Sequence, residues 1–178
     1  DAQGNLLRKV LDGEETRYKS NLLSQLISIK KADETALQFS YDPFGRLLVQ
    51  KHINVSKKRK KTFLTTRYLY IGNVEIGSLS SNNTLNTLKV PGLHDKCIAI
   101  ELQGKVYAPL HDTAGNVTAL VDPTNAEIVE KYEYTAFREV SSSSALNNPW
   151  RFAEKRHIQE AGLTWFGFRF YDPDAGRW

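Results

Sequence analysis

Apolar and polar side chains alternate on both sides of a short polar turn in the middle of the first half of the chain. Before the turn, Phe39 and Tyr41 flank the polar Ser40. After the turn, Leu47 and Val49 continue the same alternation. Because alternate residues of a β-strand face the same side, this pattern predicts two half-buried strands joined as a hairpin.

The connection between these strands has the composition of a tight reverse turn. Asp42 can accept a hydrogen bond from the backbone two residues further on, and Pro43 fixes φ at the second position. Gly45 suits a positive φ at the fourth position. We therefore predict a structural turn motif formed by Tyr41, Asp42, Pro43, Gly45 and Arg46.

The same phrase recurs along the chain. The first three turn positions, Asp1, Asn21 and Asp42, follow one another at intervals of 20 and 21 residues. Later copies supply further motif residues, which are Asp112, Gly115, Tyr171, Asp172 and Gly176. A nearly fixed interval indicates a repeat in which each hairpin buries its apolar face against its neighbours.

Two copies depart from the pattern. Ser24 stands where the second copy should have its glycine. In the copy at 132–138, Thr135 and Arg138 replace the aspartate and the glycine. We expect both of these turns to use another geometry.

These phrases resemble the YD repeats of the Rhs family, which occurs in bacterial polymorphic toxins, in the C component of insecticidal toxin complexes and in animal teneurins. Residues 111–134 are similar to the start of the family's Rhs-associated core region, and residues 148–178, with Asn-Pro-Trp-Arg-Phe and Phe-Arg-Phe-Tyr-Asp-Pro-Asp-Ala-Gly-Arg, to its closing segment. The resemblance covers residues 1–50 and 107–178.

The resemblance implies an all-β fold in which consecutive hairpins form a curled antiparallel sheet, as part of a hollow Rhs shell around a carboxy-terminal toxin. Residues 1–106 would supply repeat strands with a variable middle, and 107–178 the core segment, in one continuous unit. The implied partners are the remainder of the shell and the enclosed toxin domain, with a secreted or cell-surface location. The alternative is an adhesion or carbohydrate-binding β module, which would present its aromatic residues as an exposed row rather than bury them between strands.

Composition agrees with a soluble β domain. The chain has 178 residues, 40% of them hydrophobic and 25% charged, and no apolar run is long enough to span a membrane. It has no Met and starts inside a repeat, so we expect an internal fragment of a longer protein, with unpaired sheet edges through which copies could associate. The single cysteine, Cys97, lies in the alternating segment 96–102, which predicts a buried and inert thiol.

Positive charge is concentrated in one run of five basic residues, which are Lys57, Lys58, Arg59, Lys60 and Lys61. Such a run can contact anions such as nucleic-acid phosphates or an anionic membrane surface. Since strand-like segments flank it, we interpret it as a solvated hairpin tip and expect no specific nucleic-acid partner.

No arrangement of residues in the sequence predicts an active site. The four histidines are scattered, without the spacing of a helical metal site, and His111 occupies the aromatic place before the Asp112 turn. We therefore expect no catalytic residue, no metal and no cofactor. In the Rhs family a self-cleavage segment follows the core region, and it would lie beyond Trp178.

Four segments are ambiguous. Residues 78–87 and 141–148 are polar and predict loops. Residues 22–31 carry a partly helical pattern, but the repeat favours a strand there. Residues 154–160 are compatible with a short helix or turn.

Overall fold

The structure, a computed structural model, describes residues 1–55, 61–93, 96–136, 139–142 and 146–178. Sixteen strands account for most of the described residues. In chain order they are β1 Arg8–Leu11, β2 Glu14–Ser20, β3 Leu26–Lys31, β4 Ala36–Tyr41, β5 Leu47–Val55, β6 Lys61–Ile71, β7 Val74–Leu79, β8 Leu85–Pro91, β9 Cys97–Leu102, β10 Lys105–His111, β11 Val117–Val121, β12 Ile128–Tyr134, β13 Glu139–Ser142, β14 Arg156–Ile158, β15 Leu163–Trp165 and β16 Phe170–Tyr171. The predicted all-β antiparallel fold is confirmed.

The first thirteen strands form one sheet in which every strand pairs with its neighbours in sequence. The order runs from β1 to β13 without a crossover, so the sheet is open, with β1 and β13 at its two edges. The predicted boundary between residues 106 and 107 falls inside β10, which pairs with both β9 and β11. The backbone hydrogen bonds of the sheet therefore continue across that position.

The turn at Asp42 has the predicted chemistry. Its carboxylate accepts hydrogen bonds from the backbone N–H groups of Phe44 and Arg46, each at 2.9 Å. The Asp42 carbonyl accepts the N–H of Gly45 at 3.0 Å, and Gly45 has a φ of +83°. The Arg46 guanidinium also donates a hydrogen bond to the Asp42 carboxylate, at 2.6 Å. The Asp112 turn repeats this arrangement, with Gly115 at a φ of +85°.

The expectation of a different turn at Ser24 is wrong. Asn21 accepts the N–H groups of Leu23 and Gln25 through its side-chain oxygen, each at 3.0 Å, as Asp42 does for its own turn. Ser24 takes the place of the glycine with a φ of +58°. The side-chain oxygen at the first position thus holds the turn, and a small residue can occupy the left-handed conformation at a cost in free energy.

Residues 78–87 are not the loop that their polarity predicts. β7 extends to Leu79 and β8 begins at Leu85. The turn between them is another copy of the repeat turn, with Ser80 N–H bonded to the Thr84 carbonyl and Asn83 at a φ of +60°. Polar residues are common in this segment because Ser, Asn and Thr satisfy the turn, and it contains no aspartate or glycine that would have revealed the copy.

The other ambiguous segments resolve as strands with short connections. Residues 22–25 belong to a turn and Leu26–Lys31 is β3, so the predicted strand in this region is confirmed. The short helix or turn expected over 154–160 is confirmed only at its two ends: a 3-10 turn covers Phe152–Glu154 and a turn covers 159–162, but Arg156–Ile158 between them is β14. Residues 141 and 142 belong to β13 rather than to a loop, and 143–145 lie outside the described residues.

The last turn is one residue longer than those at Asp42 and Asp112, and it has the same length as the Asp122 turn, in which the Asp122 N–H bonds to the carbonyl of Glu127. The Asp172 N–H bonds to the carbonyl of Arg177, and the N–H of Arg177 bonds back to the Asp172 carbonyl. Asp172 still accepts two backbone N–H groups, and Gly176 has a φ of +61°. The extra residue between the aspartate and the glycine explains why this turn closes on Arg177.

Strands β14 to β16 form a second, three-stranded sheet that packs on one face of the large sheet. The core between them is a cluster of buried apolar side chains from both sheets. Its members are Ile29, Leu37, Phe39, Leu47, Tyr68, Ile158, Leu163 and Trp165. A second cluster joins β9 to β12 to Trp150. The carboxy-terminal residues therefore cover one face of the sheet, and their apolar side chains complete its core.

Candidate functional site

Tyrosines tie consecutive hairpins together. The hydroxyl of Tyr41 donates to the carbonyl of Leu26 at 2.6 Å, and that of Tyr70 donates to the carbonyl of Leu47 at 2.9 Å. Each acceptor is the first strand residue after a repeat turn. Tyr134 bonds in the same way to the carbonyl at the start of β11, at 2.5 Å. The aromatic of the repeat phrase thus packs in the core and also satisfies a backbone acceptor of the preceding hairpin.

The polar side chains that could carry chemistry gather elsewhere, where residues 146–158 lie against strands β7 to β12. We call this contact the seam. It begins where the N–H of Leu146 bonds to the carboxylate of the fully buried Glu130, at 2.6 Å. It continues through two clusters of buried charged side chains, one around Arg156 and one around Glu154.

The first cluster pairs Arg156 of β14 with Glu75 of β7. Their side chains are 7% and 10% exposed, and the guanidinium Nη2 lies 2.8 Å from the carboxylate. The same carboxylate accepts the indole N–H of Trp150 at 2.7 Å, and Arg156 also donates to Thr87 at 3.0 Å. The guanidinium lies over the rings of Trp150 and Tyr68, at 4.7 and 5.1 Å from their centroids. These hydrogen bonds offset part of the desolvation of the buried pair, although the Nε of Arg156 has no hydrogen-bond partner among the described residues.

The second cluster is centred on the carboxylate of Glu154. Its Oε1 lies 3.0 Å from the ammonium of Lys89, and its Oε2 lies 3.0 Å from Nε2 of His111. Oε2 also accepts the backbone N–H of Cys97 at 2.9 Å. The Cys97 sulfur is 3.9 Å from His111 Nε2. Strands β8, β9 and β10 thus each contribute one side chain around a carboxylate that comes from the 3-10 turn.

The protonation states of this cluster follow from its charges. The Lys89 ammonium, the backbone N–H of Cys97 and His111 lower the pKa of Glu154 despite its burial, so the carboxylate is ionised. Burial and the neighbouring Glu154 charge raise the pKa of the Cys97 thiol to about 12. At neutral pH the sulfur is therefore a thiol, which is a poor nucleophile, in agreement with the inert cysteine predicted from the sequence.

The backbone that carries Glu154 has an unusual conformation. Ala153 and Glu154 have φ values of +49° and +51°, and neither is a glycine. The segment is anchored on both sides, since Ala153 N–H donates to the side chain of Asn116 at 2.7 Å and Val117 N–H donates to the carbonyl of Arg151 at 3.0 Å. Consecutive left-handed residues are energetically costly, and they direct this carboxylate to the buried cluster.

Of the motif turns singled out from the sequence, the Asp112 turn adjoins the second cluster, because it directly follows His111 and its Asn116 accepts the N–H of Ala153. The motif turns at Asp42 and Asp112 lie at the ends of strands, and the Asp172 turn touches the sheet edge through Lys9, whose ammonium is 2.5 Å from the carboxylate. In the basic run, 57–60 lie outside the described residues, and Lys61 is an exposed residue at the start of β6. The prediction of an anion contact there stays a prediction.

Sequence reasoning missed the cluster of Cys97, His111 and Glu154. It placed His111 in an aromatic position and took scattered histidines as evidence against a metal site. Cys97 and His111 lie at the same end of the paired strands β9 and β10, and their side chains meet there at 3.9 Å. The approach of Glu154 depends on the docking of the 3-10 turn, for which the sequence carries no local signal.

Of the eighteen aromatic side chains among the described residues, seven are buried and seven are half-buried. Phe39, Tyr68, Tyr107, Tyr132, Trp150, Trp165 and Tyr171 are all below 8% exposed. Phe44, Phe63, Phe168 and Trp178 are the exposed aromatics of the described residues. Burial or half-burial of fourteen of the eighteen is the arrangement expected of aromatics that pack within the fold rather than form an exposed row.

Among the described residues, no helix has the length and apolar character needed to cross a membrane.

Comparison with known proteins agrees with the repeat pattern, although no family model matches the chain. The chain is 25% identical over 185 residues to the tRNA3(Ser)-specific nuclease WapA of Bacillus spizizenii, an alignment that covers 99% of this chain. Its fold is similar to chains in the crystal structures of TcdB2-TccC3-Cdc42 and TcdB2-TccC3, with TM-scores of 0.75 and 0.73 and identities of 17% and 18%, each over 100% of this chain. A chain of the Photorhabdus luminescens Tc holotoxin pore matches with a TM-score of 0.71 and 16% identity over 97% of this chain.

The chain spans a small part of these proteins, 7% of WapA and 9% of each structural relative.

Proposed function

We propose that this chain, a member of the Rhs/YD-repeat family, forms part of the wall of a hollow protein shell that encloses a toxin or effector domain. The single observation that carries the proposal is the open thirteen-stranded sheet in which every strand pairs with its sequence neighbours. Such a sheet can be extended by further hairpins at either edge, and a wall of any required length can be built from one repeating unit.

The side chains of the wall suit a passive role. Apolar groups and aromatics are used to join neighbouring hairpins, as in the bond from Tyr41 to Leu26. The titratable groups of the seam are paired with one another, and the thiol of Cys97 is protonated. We assign no catalytic step to this segment. The partners in this proposal are the rest of the shell and the enclosed domain, and the location is extracellular or at the cell surface.

The seam would give the wall its stiffness. Its carboxylates come from two different layers: Glu75 from the sheet holds Arg156, and Glu154 from the 3-10 turn holds Lys89 of the sheet. We call the carboxy-terminal residues that cover the sheet the covering layer. The two ion pairs fix the position of the covering layer along the sheet, and the apolar core holds the two layers together.

Limited proteolysis of the longer polypeptide tests this proposal. Within an intact shell, the enclosed domain should resist a protease that degrades the same domain when it is produced alone. Breaking the seam with Glu75→Gln and Arg156→Leu should expose the domain to cleavage, whereas the exposed substitution Phe44→Leu should not. Equal cleavage of the enclosed and the isolated domain in the unaltered protein would refute encapsulation.

A further inference from the structure

We propose that Cys97, His111 and Glu154 form a binding site for a thiophilic divalent metal ion, with Zn²⁺ the ion that fits best. One ligand atom of each residue lies within 4.8 Å of the other two. A thiolate, an imidazole and a carboxylate are the donors that Zn²⁺ takes in proteins. This inference goes beyond the shell function and does not depend on it.

The distances fit a single ion after small adjustments. Zinc bonds of about 2.3 Å to sulfur and about 2.0–2.1 Å to nitrogen or oxygen put tetrahedral ligands roughly 3.3–3.6 Å apart. The Cys97 sulfur and the His111 Nε2 are 3.9 Å apart, and His111 Nε2 and Glu154 Oε2 are 3.0 Å apart. The third separation, between the Cys97 sulfur and the Glu154 carboxylate, is within 4.8 Å, so bonding all three ligands to one ion requires side-chain rotations that shorten it by up to about 1 Å.

The ligands are held on rigid supports. Cys97 begins β9 and His111 ends β10, and these strands are paired in the middle of the sheet. The carboxylate of Glu154 is fixed by the left-handed backbone at residues 153 and 154 and by the bonds that anchor this turn to the sheet. Cys97 and Glu154 are buried and His111 is half-buried, and this burial would slow the exchange of a bound ion with solvent.

Lys89 is the charged group that competes with a metal. Its ammonium lies 3.0 Å from Glu154 Oε1 and supplies the positive charge that the carboxylate needs when no ion is bound. It also lies 3.3 Å from the Glu154 backbone carbonyl and 5.5 Å from the centroid of the Trp150 ring. Lys89 can therefore keep two partners when the carboxylate turns to a metal.

The binding reaction balances in protons. The Cys97 thiol loses its proton to solvent as the sulfur–metal bond forms, and Nε2 of His111 gives up the hydrogen that it donates to the ionised Glu154 before it binds the ion. At least one proton is therefore released for each ion bound, so the affinity should increase with pH. A bound ion would join strands β9 and β10 to the covering layer by three bonds.

Cobalt spectroscopy of the purified chain, stripped of metal with a chelator, tests the proposal. Addition of Co²⁺ should produce a thiolate-to-cobalt charge-transfer band in the near ultraviolet that saturates at one ion per chain and disappears on addition of Zn²⁺. Cys97→Ser should abolish the band, and Glu154→Gln should weaken Zn²⁺ binding by at least about 100-fold in competition with a chromogenic chelator. His52→Gln, on the distant β5, is the matched control and should change neither result.

The zinc titration of the unaltered chain decides the matter without any variant. Saturable binding of one Zn²⁺ with release of a proton supports the site. No saturable binding, or a cobalt spectrum without the sulfur band, overturns it and means that Lys89 is the permanent counter-ion of Glu154. Neither result bears on whether the shell protects an enclosed domain from proteolysis.

Discussion

The hydroxyl of Tyr41 lies 2.6 Å from the carbonyl oxygen of Leu26, so the aromatic residue that precedes one repeat turn is bonded to the strand that follows the turn before it. Burial raises the pKa of this phenol, which remains a hydrogen-bond donor over the whole range in which the protein is studied. The contact gives the repeat phrase a tertiary role, because it connects neighbouring hairpins as well as shaping its own.

Removal of that hydroxyl should weaken the fold. Tyr41→Phe leaves the ring in place but leaves the half-buried carbonyl of Leu26 without this donor, and we expect a loss of about 1 kcal/mol in the free energy of unfolding. Tyr70→Phe should behave in the same way, since its hydroxyl bonds to Leu47 at 2.9 Å. Urea midpoints measure the loss, with Phe44→Leu, at an exposed position of the same turn, as the control. A midpoint for Tyr41→Phe equal to that of the control would contradict a stabilising role.

Two glycines allow backbone strain to be separated from crowding. Gly45→Ala and Gly115→Ala place a side chain at φ values of +83° and +85°, and each should cost about 1 kcal/mol or more. A Cβ at Gly45 would also lie 3.4 Å from the Gln25 side chain and 3.6 Å from the Phe168 ring, whereas none lies within 4 Å at Gly115. Gly45→Val should therefore be the more harmful valine substitution of the two. Chemical denaturation of all four variants checks this, and an unaffected Gly115→Ala would rule out the strain argument.

The buried pair of the seam should show strong coupling. Glu75→Gln leaves the Arg156 guanidinium buried without its counter-ion, and we expect a loss of about 3–5 kcal/mol. Replacing both residues with apolar ones, as in Glu75→Leu with Arg156→Met, should recover much of this loss. A double-mutant cycle measured by denaturation gives the coupling energy. Simple additivity of the two single substitutions would mean that the pair is not an energetic unit.

Stability should decrease on mild acidification because of His157. Burial, and to a lesser extent the Arg151 charge, lowers the pKa of His157 to about 4, against about 6.5 in an unfolded chain. Below about pH 6.5 the unfolded state takes up a proton that the folded state does not, so stability is complete above that pH and declines as the pH falls towards 4. His157→Gln removes the titration and keeps a partner for Thr164, 3.2 Å away in the native protein. Melting temperatures from pH 4 to 8 should depend less on pH in this variant, and parallel curves would exclude His157 as the cause.

The edge strand β1 should make the chain self-associate. It pairs only with β2, and its Val10 and Leu11 are each 54% exposed. Unpaired N–H and C=O groups beside apolar side chains favour pairing with a second chain. Light scattering over a concentration series should show an increase in mass, which Val10→Lys should suppress. A particle that stays monomeric at high concentration would show that the edge is protected.

The repeat made the sheet predictable, while the seam required the tertiary structure. The alternation of apolar and polar residues on both sides of Asp42 predicted both strands and their turn. This was possible because the two-residue period of a strand and the residues of a tight turn are local properties of the sequence. The copy at Ser80 was not predicted because serine replaces aspartate and asparagine replaces glycine, although the backbone hydrogen bonds are the same. Near the end of the chain, where aromatics could lack packing partners, Tyr171 is 6% exposed and Phe170 packs on the core, whereas Phe168 is 67% exposed.

The sequence distances spanned by the seam and by the Lys9–Asp172 ion pair imply an order of folding. The sheet is built from neighbouring strands, so each hairpin can form soon after its residues leave the ribosome. Lys9 and Asp172, by contrast, are 163 residues apart, and Arg156 is 81 residues from Glu75. Those contacts can form only after the last part of this segment has been synthesised. The covering layer is thus the final element to dock, and until it does, the apolar face of the growing sheet is open to water and to other chains.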